Sequence, residues 1–81
     1  MKREDLISKV NEALAEEFEV ELSVIAPDDN IKETLELDSL GLVDMVALLE
    51  NLFSIKIKGP EIVEVKTFDN LYSFIEKKIS E

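Results

Sequence analysis

Eighty-one residues carry 19 Asp and Glu against 9 Lys and Arg, a net charge of −10, with no cysteine and no histidine. That length predicts one small domain, 1–81, without room for a deep substrate cleft, and the charge disfavours nucleic acid and anionic membranes while suiting basic protein surfaces. Disulfides, thiolate metal sites and a Ser-His-Asp relay are excluded, so hydrophobic packing must hold the fold by itself.

The chain begins Met-Lys-Arg-Glu-Asp and runs into an acidic amphipathic segment with no apolar stretch fit for a signal peptide or membrane span, which predicts a cytoplasmic protein. From Arg3 to about Phe18, Leu6, Ile7, Val10, Leu14 and Phe18 recur at helical spacing opposite Lys9, Glu12, Glu16 and Glu17, a first amphipathic helix. Neither glycine nor asparagine follows it, so its end is placed between Glu17 and Glu19. Residues 20–34 have no sustained period and contain the turn-forming Pro27-Asp28-Asp29-Asn30, which predicts a long connecting loop pinned by Leu22, Val24, Ile25, Ile31 and Leu35.

Residues 35–53 form the segment around which the rest is organised. At about 100° per residue, Leu42, Met45, Val46, Leu49, Leu52 and Phe53 share one side and predict a core-facing helix. The other side carries Leu40, Val43, Ala47 and Leu48 among Gly41, Asp44, Glu50 and Asn51. A chain this short can hardly bury a helix on both sides, so the outer side is predicted to meet a partner or ligand. Asp38 and Ser39 are both residues that hold helix N-termini. A phosphate ester on the Ser39 hydroxyl would be favoured there by the helix dipole and the free backbone N–H groups.

Ser54 to Pro60 reads as an extended loop, because alternating Ile55 and Ile57 find no partner strand. Pro60 suits the start of a helix, with Glu61 to Val65 giving a turn or two. Thr67 then caps a last helix from Phe68 to about Ile79, with Phe68, Leu71, Tyr72, Phe74, Ile75 and Ile79 as its apolar side and Lys77 and Lys78 at its C-terminal end. The sum is an all-α fold, a small bundle of three main helices plus one short helix, with a long loop between the first two main helices.

Chemistry of the chain's own is not expected. Ser39 has no basic neighbour to activate it, and Asp28, Asp29 and Asn30 lack the spacing, central glycine and terminal glutamate of a calcium loop. No metal site and no glycine-rich phosphate loop is present in the sequence, so the protein is predicted to be handled by enzymes and not to be one.

Leu37-Asp38-Ser39-Leu40, then Val43-Asp44-Met45-Val46, Leu49-Glu50 and Phe53, resembles the acyl carrier protein family. The resemblance implies an acyl-carrier-like helical fold and a covalent 4′-phosphopantetheine on Ser39, beside Asp38, moved there from coenzyme A by a phosphopantetheinyl transferase. It also implies acyl cargo held as thioesters on the arm's thiol, for fatty-acid, lipid or polyketide synthesis. Met45, Val46, Leu49, Ile57 and Ile62 would lie near an acyl cleft, positions that equally suit an ordinary core.

Residues 33–55 contain no Lys or Arg, and the resemblance implies that Asp44 and Glu50, with Leu40, Val43 and Ala47, dock onto basic patches of acyl-loading and acyl-processing enzymes. A monomer that neither binds nucleic acid nor inserts into membranes is expected. Departures from the family pattern are Gly41 for a frequent acid, Glu36 for a frequent glycine, Leu42 for a small polar residue, and Lys58-Gly59-Pro60-Glu61 for Pro-Asp-Glu-Glu. They point to a specialised carrier. Two other readings fit the same residues: a D-alanyl or other aminoacyl carrier, and an unmodified acidic protein-binding module.

Overall fold

A computed structural model describes residues 2–80. Three long helices, α1 (Arg3–Glu17), α3 (Ser39–Phe53) and α5 (Phe68–Ser80), are joined by segments that hold the short helices α2 (Ile31–Leu35) and α4 (Gly59–Ile62) and a 3-10 turn at Leu22–Val24. The architecture is all-α, as expected, with more regular structure in the first connection than the sequence suggested. Asn30 is the reason: its side chain accepts the Glu33 N–H at 3.0 Å and nucleates α2 where a plain loop was predicted.

Asn30 also forms an antiparallel bridge with Thr67. Ile31 donates its N–H to the Lys66 carbonyl at 2.9 Å, and Asp69 donates to the Pro27 carbonyl at 3.0 Å, so the start of α2 is knitted to the start of α5. Thr67 and Asn70 exchange bonds between side chain and backbone, Asn70 N–H to Thr67 Oγ1 at 3.1 Å and Thr67 N–H to Asn70 Oδ1 at 3.4 Å, the reciprocal cap of α5.

The core takes Leu6, Val10 and Leu14 from α1, Met45 and Leu49 from α3, and Phe68, Leu71, Tyr72 and Ile75 from α5. Ile25, Ile31, Leu35, Ile57 and Ile62 close it from the connections. Leu22 and Val24, expected to pin the first loop, are 52% and 43% exposed instead, because the 3-10 turn rotates them outward and leaves Ile25 to be buried. On α3, Leu48 packs against the core although the helical angle placed it outside, and Leu52 is only half-buried. The inward arc is therefore rotated slightly toward Leu48.

The α1–α5 contact is closed by polar groups at its edge. Arg3 pairs with Asp69 at 2.8 Å and with Glu76, and its guanidinium lies 6.0 Å from the centre of the Tyr72 ring. The Tyr72 hydroxyl donates to Asn11 Oδ1 at 2.6 Å. Glu76 and then Asp69 hold the Arg3 pKa above its ordinary value, while burial pushes the Tyr72 phenol up.

Helices α1, α2 and α3 are each followed by a left-handed residue that is not glycine: Glu19 (φ 53°) after α1, Glu36 (φ 52°) after α2 and Ser54 (φ 54°) after α3. Val20 donates to the Ala15 carbonyl at 3.0 Å, and Leu37 to that of Lys32 at 3.0 Å, which fixes the two chain reversals. The backbone bonds hold the conformation against a side-chain penalty of about 1–2 kcal/mol at each position.

Candidate functional site

Asp38 is the N-cap of α3, with extended backbone (φ −101°, ψ −169°) and a carboxylate oxygen accepting the Gly41 N–H at 2.7 Å. Its carbonyl accepts from Leu42 N–H at 3.0 Å. Since Asp38 does the capping, Ser39 stands as the first residue of the helix with an exposed side chain. Its hydroxyl is thereby placed at the positive end of a 15-residue helix without being used to hold that end.

Two departures from the expected pattern have structural explanations. Glu36 occupies the left-handed position that reverses the chain into Asp38, the conformation for which glycine carries no steric penalty. At Gly41, an added Cβ would lie 3.1 Å from Leu37 Cδ2 and 3.3 Å from Asp38 Oδ1. The missing side chain at Gly41 lets Leu37 and the capping carboxylate lie close over the first turn.

One turn further on, Leu42, Val43 and Val46 of α3 face Gly59, Ile62 and Val63 at α4 across a groove of about 350 Å³ lined only by apolar groups. Of the residues expected at an acyl cleft, Val46 and Ile62 form its walls, whereas Met45, Leu49 and Ile57 lie buried in the core. Leu42, Gly59 and Val63 complete the lining and were not expected at the cleft from sequence. The i, i+4 spacing of Leu42 and Val46 was a readable signal for the first; the other two depend on how α4 is seated.

Among the residues expected to dock partners, Leu40 and Val43 are 76% and 64% exposed, and Asp44 and Ala47 are exposed beside them. Glu50 sits differently. It is half-buried, and its Oε2 accepts the Ile57 N–H at 2.8 Å, which ties the segment after α3 back onto the helix.

A second, more polar cleft of about 440 Å³ lies between the α4 region and α5 and includes no residue of α3. Within it Lys78 Nζ meets Glu61 Oε2 at 2.6 Å, and this bond holds the Glu61 carboxyl below its ordinary pKa. Among the described residues no group of acids is placed to hold a metal, and no helix is long and apolar enough to cross a membrane.

An exposed hydroxyl at a helix N-terminus, with open apolar surface next to it, can accept a phosphodiester-linked arm without displacing any packed group, so the residues fit such a group. Residues 8–75 match the phosphopantetheine attachment site family. The chain is 32% identical over 77 residues to the acyl carrier protein of Thermotoga maritima, covering 95% of each. It is 34% identical over 79 residues to that of Exiguobacterium sibiricum, covering 98% of this chain and 100% of the relative. A third acyl carrier protein, from Rubrobacter xylanophilus, shares 31% over 75 residues and 93% of each chain. With the helical fold, these matches establish that the chain belongs to the acyl carrier protein family, non-catalytic carriers that bear a covalent 4′-phosphopantetheine.

Proposed function

We propose that Ser39 is the attachment point and that the chain presents acyl intermediates, as thioesters, to enzymes of fatty-acid, lipid or polyketide assembly. The observation that carries this reading is the division of labour at the start of α3. Asp38 satisfies the backbone, and Ser39 keeps an exposed hydroxyl where a phosphodiester gains from the dipole and from first-turn N–H groups. When bound, the arm supplies a terminal thiol for thioester chemistry. Everything else falls to the chain: it offers the anchor, recruits enzymes through Leu40, Val43, Asp44 and Ala47, and shelters cargo.

The groove supports acyl over aminoacyl cargo. An alkyl chain loses its water contact among Leu42, Val46, Ile62 and Val63, whereas an ammonium group would find no partner in that lining. The charge of −10 supports recruitment of partners with basic patches, the phosphopantetheinyl transferase among them.

Incubation with coenzyme A and a phosphopantetheinyl transferase, followed by intact-mass measurement, tests the reading. One added phosphopantetheine on the native chain and none on Ser39→Ala is the expected result. A modified Ser39→Ala chain, or an unmodified native one, would overturn it.

A further inference from the structure

The docking face of this chain is bipolar. We infer that its partner surface is basic opposite the start of α3, apolar at the centre and acidic opposite Lys56 and Lys58, in place of a uniformly basic patch. This rests on the carrier reading above.

The segment 55–58 is extended, and its alternation turns Ile55 and Ile57 toward the core and Lys56 and Lys58 to the outside. The two lysines are thus held on one side. Glu50 fixes their register through the Ile57 N–H at 2.8 Å, and the Lys58 carbonyl accepts the Glu61 N–H at 3.0 Å as α4 begins. Lys58 directly precedes Gly59, and Gly59 lines the groove together with Leu42 and Val43, the turn that follows Ser39. An enzyme reaching for Ser39 therefore meets carboxylates at Asp38 and Asp44 on one bank and cations on the other.

The Lys58 charge acts on the Glu61 carboxyl, but the main partner of that carboxyl is Lys78. Glu61 is paired with Lys78, and Glu61 and Glu64 both line the polar cleft on the α5 side, away from the groove. Between the two banks, Leu40, Val43 and Val63 are exposed by 76%, 64% and 50%, an apolar centre with a charged rim. Residues 33–55 hold no cation at all, so the change of sign at Lys56 is abrupt. A uniformly basic partner would be repelled there, which makes the lysines a device for choosing among partners as well as for attraction.

The test uses the phosphopantetheinyl transferase of the same organism, with coenzyme A saturating, and reads kcat/KM for the carrier at low and high salt. The double variant K56E/K58E, altered only at exposed positions, should lower kcat/KM at low salt about three- to tenfold, as D44K should on the other bank, with the difference shrinking at high salt. Retained helical circular dichroism and melting temperature would exclude misfolding as the cause. An unchanged or increased kcat/KM in K56E/K58E overturns the bipolar surface while leaving the carrier reading intact. Failure of the native chain to be modified at all is a different result and removes that reading instead.

Discussion

Helices α3 and α5 are near equals in length, 15 and 13 residues, yet they use their apolar residues in opposite ways. The more polar α5 buries Phe68, Leu71, Tyr72 and Ile75, while the more apolar α3 buries only Met45 and Leu49. Burial on α5 is reinforced at its edges by Arg3 and by the Tyr72–Asn11 bond. On α3, Leu40 and Val43 stay in water beside an open groove, although their burial would be favourable. The comparison sets a well-buried pair, α1 with α5, against a helix that leaves much of its apolar surface open to water.

Truncating both helices separates the two uses most sharply. Phe68→Ala should destabilise the fold by about 3–5 kcal/mol in urea unfolding, since it opens a cavity in the core. Leu40→Ala should stay within about 0.5 kcal/mol of the native chain in the same measurement, yet lower transferase kcat/KM for the carrier. If Leu40→Ala were as destabilising as Phe68→Ala, α3 would be an ordinary structural helix.

Tyr72→Phe sharpens the account of the well-buried pair. Loss of the bond to Asn11 should cost about 1 kcal/mol at neutral pH. Burial raises the folded pKa of Tyr72, so the associated stability is present below the phenol's unfolded value, near pH 10, and is lost as pH rises through the folded one. Alkaline melting curves should therefore fall less steeply for Tyr72→Phe than for the native chain.

Next in size is Glu36→Gly, which should stabilise the fold by about 0.5–1 kcal/mol, because glycine takes the left-handed conformation without strain. A loss of stability instead would mean that the Glu36 side chain has a structural role that outweighs its backbone.

The smallest effect is expected from Glu61→Gln. Lys78 holds the Glu61 carboxyl below its ordinary pKa, so the contribution of this pair is present above the unfolded value, near pH 4.3, and lost as pH falls through the folded one. The variant should melt lower than the native chain at neutral pH and converge with it in acid. A gap that persists in acid would assign the difference to packing.

Much of this was legible without coordinates because it is written in neighbouring residues. The period of Leu6, Val10 and Leu14, the Asp38 cap and the Thr67 start each lie within a turn or two of the element they define. The helix ends were harder to read. Glu19, Glu36 and Ser54 take the left-handed role without the glycine or asparagine that announces it. Nor did the α2 start stand out, since Asn30 reads equally well as one more turn residue after Pro27-Asp28-Asp29.

The sequence by itself determined the three long helices, the acidic character and the position of Ser39 at a helix start, since period, charge and capping act over a few bonds. Only the tertiary structure decided which apolar residues of α3 stay bare, because that depends on where the segment after Phe53 brings Gly59, Ile62 and Val63. It likewise decided that Arg3 meets Glu76, a contact between residues 73 apart in the chain. Such pairings arise when the core closes and fixes distant surfaces together, and no local pattern encodes them.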